Sequence, residues 1–307
     1  MAAITHQQTQ DQQRSAARAR LRRKLQEKVL PRVIIVAFCL LFILPFYWMI
    51  VVALKGNEEL TNFPPTLYPH DPQWQNFWNS TQEFPFWRFA RNTSVITGLT
   101  IIGAVISNPL IAYGFSRIEW PGRDKVFFVV LATVFVPFPV LIMALYDIWA
   151  KIGPWTNENL GFTIGINTWW PLVLPWYFGN AFMIFLMRQF MLQIPKDLSD
   201  AARLDGANEF RIFAQIIMPQ CLPAIGVIAI FAGFQAWDDF IGPLIYLSDS
   251  AMYTLSIGLT FFQQQDSYEI KFNLLMGASV LVVLPVVALF LLFQKAFIGG
   301  ISIGSLK

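Results

Sequence analysis

Histidine and cysteine are nearly absent from this 307-residue chain, which has two of each. His6 lies near the N-terminus and His70 in a polar stretch, while Cys39 and Cys221 sit far apart beside apolar sequence. No metal-ligand spacing and no histidine-based triad can be assembled from so few groups. Nor do two such distant cysteines make a disulfide framework. Charge is scarce as well: 13% of residues are Asp, Glu, Lys or Arg, against about 25% in soluble domains. There is no Gly-x-x-x-x-Gly-Lys-Ser/Thr loop, so the chain has no phosphate cradle for a nucleotide. These absences argue against a metal site, a disulfide scaffold, a nucleotide hydrolase and most catalytic constellations, and no catalytic or metal-ligating residue is assigned.

Apolar sequence takes their place. Hydrophobic residues make up 55% of the chain and the mean hydropathy is +0.50. Six apolar runs are visible: Val33 to Leu54, Asn92 to Ser116, Val126 to Tyr146, Thr168 to Met187, Pro219 to Trp237, and Leu274 to Gln294. The first, 22 residues without a charge, would be roughly 33 Å long as a helix, enough to cross a bilayer. Backbone groups in hydrocarbon must be satisfied within their own segment, so runs of this kind are helices. They lack the alternation of a transmembrane barrel. The first run follows a 32-residue leader and ends at Lys55-Gly56-Asn57-Glu58 rather than at small residues, which reads as a retained span and not a cleaved signal.

Lys and Arg set the orientation. With the N-terminus inside, residues 1–32, 117–125, 188–218 and 295–307 hold 17 of the 22 Lys and Arg, and the outer loops hold 5. Both termini are therefore expected in the cytoplasm. The basic leader, Arg14 to Lys28 within residues 1–32, reads either as a surface helix drawn to anionic lipid or as a solvated topogenic tail. Topology accounts for the positive charge, so no nucleic-acid partner is implied.

Polar punctuation marks the spans. Pro137 and Pro139 sit within the third run and Asn108-Pro109 within the second, where each proline removes a backbone donor and predicts a kink. Gly226, Ala229, Gly233 and Ala236 recur at helical steps in the fifth and predict a close-packing face. Asn108, Asn180 and Gln235 place amides in or near spans, where an amide needs a partner or a water-lined cavity. With Trp176 and Trp237 nearby in sequence they are candidates for a sugar pathway, and equally for interhelical hydrogen bonds. Asp238 and Asp239 are expected at the outer interface, and the Trp and Tyr residues mainly as an aromatic belt.

The segment between the fourth and fifth spans is the most informative. Pro195 suits a helix start, Ser199 to Leu204 are helix-compatible, and Gly206 permits the positive φ of a sharp stop. A second helix follows toward Pro219. Two short helices with exposed Asp, Arg and Glu form a docking element rather than a linker.

This segment resembles the coupling-loop signature of ABC importer permeases. Asp200, Ala201 and Ala202 stand where that pattern has Glu-Ala-Ala. Asp205, Gly206, Ala207, Phe213, Ile216, Pro219 and Pro223 follow at its spacing. The single departure, Asp for Glu at position 200, keeps the charge on a shorter arm. Phe234 to Leu247 resembles the Trp-Asn-Glu-Phe-x-x-Pro-Leu segment of the carbohydrate branch, with Asp238 and Asp239 replacing Asn and Glu. Thr254 to Leu259 is similar to its Thr-Leu-Pro-x-Gly-Leu, and Phe297 to Lys307 to its C-terminal pattern. The likeness covers all but the leader and lies nearest the smaller, six-span partner of the maltose-type pair.

The resemblance implies an all-α integral membrane protein with the type I (MetI-like) permease fold. Its six transmembrane helices would occupy residues 33–307, with a coupling loop at 194–218. It implies a homologous permease partner in a heterodimer, two ATPase subunits that carry ATP and Mg, and an extracytoplasmic sugar-binding protein. The coupling loop would contact the ATPase through Asp200, Ala201, Ala202, Asp205, Gly206, Ala207 and Phe213. The chain would be a transport subunit in the inner membrane, not an enzyme. Other readings are a permease of the same family for amino acids, peptides or phosphate esters, a secondary transporter, and an intramembrane enzyme. A secondary transporter predicts internal repeats and intramembrane ionisable groups, neither of which is evident.

Overall fold

A computed structural model describes residues 25–264 and 271–302. Most of the basic leader therefore lies outside the described residues, as do the side chains of the C-terminal pattern from Phe297 on. The described chain is helical throughout. Its principal elements are α1 (Leu30–Ala53), α2 (Phe86–Ser116), α3 (Arg123–Ala132), α4 (Phe138–Leu160), α5 (Ala181–Leu192), α6 (Lys196–Leu204), α7 (Leu222–Asp238) and α8 (Phe272–Ser302). Four stretches are long and apolar enough to cross a membrane as they stand, and six are when each of two sharply bent pairs counts as one span.

The bends fall where backbone chemistry requires them. Pro137 forces Val136 into an extended conformation (φ −82°, ψ 112°), because proline disfavours the α region in the residue before it. The third run is accordingly not one helix over 126–146. It breaks at Val136, and the chain turns by 101° before α4 runs on to Leu160. The fourth run is also divided. A helical turn at Trp170–Val173 and a 3-10 segment at Leu174–Phe178 precede Gly179, whose φ is +90°. Asn180 then caps α5 by accepting from the Phe182 and Met183 amides. Arg188 does not end this helix, which continues to Leu192. Before the fifth span the chain bends by 80° at Cys221, and Pro223 occupies the first turn of α7, where its missing N–H leaves no bond unmade.

α2 is the central helix. Its small residues Gly103, Ala104 and Ala112 admit neighbours closely, and a Cβ at Gly103 would lie 2.6 Å from the Tyr177 ring. Around it, Met183, Met187 and Met191 of α5 and Ala224, Ile228 and Ala232 of α7 form the largest buried cluster. The buried residues of α7 are Ala224, Ile228, Ala232 and Gly233; Gly233 belongs to the face read from sequence, whose other members Gly226, Ala229 and Ala236 are half-buried. A Cβ at Gly233 would lie 3.0 Å from Ile101 of α2. By contrast the apolar flank of α1 from Val33 to Tyr47 is exposed, as suits a surface facing lipid or another chain.

Candidate functional site

α6 opens at Pro195 and carries Asp197 in its first turn and Arg203 in its last, an arrangement that complements the helix dipole. Only Ser199 and Ala202 are buried, which divides the motif by depth. Ala202 anchors the helix, while Asp200, Ala201 and Asp205 face solvent. The Asp-Gly-Ala step is a Schellman stop. Gly206 takes φ +82°, its N–H donates to Arg203 O at 3.0 Å, and Ala207 N–H donates to Ala202 O at 2.9 Å. These are the two bonds that close a helix through a left-handed residue. A Cβ at Gly206 would meet nothing within 4 Å, so glycine is required there by backbone conformation alone. Asn208 starts the next helical stretch by accepting from Arg211 N–H at 2.8 Å. That stretch carries fully buried Ile212 and Ile217, and Phe213 packs edge-on against Tyr113 at 5.2 Å.

The loop is fastened to α2 by charge. Arg203 donates to Asp200 Oδ1 at 2.7 Å and to Glu209 Oε1 at 2.7 Å. Tyr113 Oη donates to Glu209 Oε2 at 2.6 Å. The Arg203 hydrogen bonds, then that of Tyr113, hold the Glu209 carboxyl below the usual carboxylate range, and Glu209 in turn raises the Arg203 guanidinium. Arg117, at the end of α2, donates to Met191 O at 2.5 Å and Ile194 O at 2.6 Å, placing a cation on the carbonyl end of α5. Arg188 reaches Phe115 O at 3.1 Å and Asp124 at 3.2 Å, with its guanidinium over the Phe127 ring. Outward, the turn presents Leu204, 90% exposed, and Phe210, 73% exposed. Neither these two nor Tyr113, Arg117, Arg203 and Glu209 stand out by motif. The available signal was apolar residues flanking a glycine turn amid charges.

The amides of the spans have different surroundings. Asn108 is fully buried. Its Nδ2 donates to Ala104 O at 2.7 Å and its Oδ1 accepts from Asn180 N–H at 2.7 Å. The structure thus joins Asn108 to Asn180, through bonds that close the broken fourth span. Trp176 packs on the same cluster, and its carbonyl accepts from Ser107 Oγ at 2.8 Å. Trp237 packs on another cluster and donates from Nε1 to Val282 O at 3.0 Å. Gln235 is exposed on α7. Asn108, Asn180 and Trp176 thus lie around the broken fourth span, and Trp237 lies beside α8.

Asp239, at the end of α7 opposite the coupling loop, accepts from Gly242 N–H at 3.0 Å, and its carbonyl accepts from Ser256 Oγ at 2.7 Å. The Thr254 to Leu259 segment is seated on the start of α2. Asn92 Nδ2 donates to Ala251 O at 2.8 Å and Tyr253 O at 3.0 Å, and Leu255 N–H donates to Thr93 Oγ1. Gly258 lies against Phe84, whose ring a Cβ would approach to 2.4 Å. Glycine there is a packing requirement.

Bent membrane-length helices, a helical hairpin braced to a central span, and segments clasped at the opposite end are the features of a helical membrane protein. The chain belongs to the binding-protein-dependent transport system inner membrane component family, whose model matches residues 108–302. It is 31% identical over 275 residues to the arabinooligosaccharides transport system permease protein AraQ of Bacillus subtilis (strain 168), covering 87% of this chain and 92% of that one. It is 29% identical over 288 residues to the trehalose/maltose transport system permease protein MalG of Thermococcus litoralis, covering 91% and 98%. In fold it is similar to a chain of a bacterial ABC transporter involved in the import of the acidic polysaccharide alginate. That match has a TM-score of 0.73 at 19% identity and covers 89% of this chain and 97% of the other. The all-helical permease fold and the role of transport subunit, with ATP hydrolysis on separate subunits, follow from this membership.

Proposed function

We propose that the chain translocates an oligosaccharide or related sugar, and that residues 194–218 form the surface on which an ATPase subunit docks. One observation carries the second part: Leu204 and Phe210 stand exposed on either side of a rigidly closed turn. Solvated loops rarely display two large apolar side chains together, and interfaces need such anchors. Beneath them the Arg203–Glu209–Tyr113 chain passes any push on the turn into α2. In this reading Asp200 already has an intraloop partner in Arg203 and presents its remaining carboxylate edge to the ATPase. The sugar assignment is supported by what the two permease relatives are named for. The assembly is a heterodimer with a homologous permease, served by two ATPase subunits that hold ATP and Mg and by an extracytoplasmic binding protein. Both termini lie on the cytoplasmic side of the inner membrane.

The test is co-purification of the ATPase together with sugar uptake in membrane vesicles. Gly206→Val forces a β-branched residue into the left-handed region, at a cost of roughly 1–2 kcal/mol, and Asp200→Lys sets a second cation against Arg203. Each is expected to leave the permease inserted while docking or uptake falls. Asp200→Glu keeps both. Wild-type assembly and uptake in the first two variants would remove the loop from the coupling role. Reporter fusions near residues 70, 157 and 260 should read as external, and an internal signal there would overturn the orientation.

A further inference from the structure

Among the described residues, five buried side-chain nitrogen or oxygen atoms have no hydrogen-bond partner. Three of them, Arg117 Nε, Arg117 Nη1 and Ser199 Oγ, belong to residues that line one cavity of about 400 Å³ beside the coupling helix. Arg117 is 8% exposed and Ser199 1%. Unsatisfied donors at such depth are costly, and an uncompensated buried charge more so.

The acids of the lining are already engaged. Glu119 pairs with Lys196 at 3.5 Å, and Asp200 and Glu209 both pair with Arg203. Each acid of the lining therefore has a cation in range, Asp200 and Glu209 sharing Arg203. Arg117 has no carboxylate within ion-pair distance among the described residues, and the groups it does bind, the Met191 and Ile194 carbonyls, are neutral. A guanidinium with two buried, unpartnered nitrogens, on a residue that lines the same cavity as Ser199, has charge-assisted bonds left to make of the kind an oxyanion accepts.

We propose that this cavity binds a small oxyanion, of phosphate or carboxylate chemistry, between Arg117 and Ser199. Ser199 lies on α6 and Arg117 at the end of α2, so the occupant joins the coupling helix to the central span. Two sources fit that chemistry: a free cytoplasmic anion such as phosphate, or a carboxylate side chain of the docked ATPase.

The probe is inorganic phosphate, titrated by calorimetry or equilibrium dialysis into the purified full-length chain and into the assembled transporter, against chloride at matched ionic strength. Saturable binding with a Kd on the order of 1 mM or tighter is expected in the free chain. Ser199→Ala, which leaves the loop geometry intact, should weaken it roughly tenfold, the worth of one hydrogen bond to a charged group, and Arg117→Lys at least as much. Binding that persists after assembly identifies a free anion as the occupant. Binding that assembly abolishes identifies an ATPase carboxylate. No saturable binding in either preparation overturns the proposal. So does binding that survives both substitutions, since phosphate held by the Lys- and Arg-rich leader would behave that way. The readout is binding alone, so its failure leaves the coupling role untouched.

Discussion

The coupling loop and the Asn108–Asn180 pair are both polar interruptions in an apolar chain, yet they are built in opposite senses. The loop buries its small and apolar residues, Ser199, Ala202, Ile212 and Ile217, and leaves charged and large apolar groups outside. The amide pair buries Asn108 and directs both ends of its amide at backbone. The lesson concerns signals. In a span, an amide next to a proline or glycine marks a broken backbone that needs closing. In a solvated loop, two large apolar side chains exposed together are what a partner's surface would cover.

That contrast can be broken experimentally. The largest effect is expected from Leu204→Asp combined with Phe210→Asp. ATPase co-purification should fall by more than tenfold, while thermal stability of the isolated permease stays within about 0.5 kcal/mol, as for surface changes. Retained co-purification would make the two side chains incidental. Asn108→Leu should act the other way. It strands the Asn180 N–H and lowers stability by about 1–3 kcal/mol, read as a lower Tm in detergent, with ATPase binding per folded molecule unchanged. A stable Asn108→Leu protein that fails only in transport would return Asn108 to the substrate pathway.

Tyr113→Phe tests the brace between the two regions. Only a hydroxyl is lost, so the stability change should be about 1 kcal/mol or less. Sugar moved per ATP hydrolysed is expected to drop several-fold while docking is kept. An unchanged ratio would mean that the Glu209 contact serves packing alone.

The smallest effect concerns pH. Glu209 has a folded-state pKa below its ordinary 4.5. Its contribution is therefore complete above 4.5 and is lost only as pH falls through the lower, folded value. Amide-exchange protection at Gly206 and Ala207, corrected for intrinsic rate, should be flat near neutral pH and decline only in that acidic range. Glu209→Gln should remove the decline. A decline already present near neutral pH would assign the titration to another group.

How far the sequence reached can be seen residue by residue. Pro137 and Gly206 act through their own backbones, so a break and a turn were legible at those positions without any neighbour. The motif at 200–207 was legible as a pattern, and its physical content is local too, a helix stop with Ala202 and Ala207 at the bonded ends. What joins distant residues was not legible. Tyr113 and Glu209 are 96 positions apart, and nothing in a spacing pairs them. The packing face of α7 is legible only in part, for a related reason. Small residues at helical steps identify a possible face, but the neighbours decide how far it extends: Gly233 is buried against Ile101 of α2, and Ala224, Ile228 and Ala232 are buried with it. Asn108 was correctly singled out as polar within a span. Its partner, a main-chain N–H freed by the break at Gly179, existed only once the fourth span was known to be divided.

The bend at Val136 has a mechanical consequence. α3 and α4 meet at 101°, so the third span is a bell crank rather than a rod. Its short arm is held near the loop through Asp124 and Arg188. Its long arm is the 23 residues of α4, about 35 Å at the helical rise. A rotation of only about 5° at the elbow would sweep the far tip through roughly 3 Å over that length, and the right angle turns a push along the short arm into a sideways stroke of the long one.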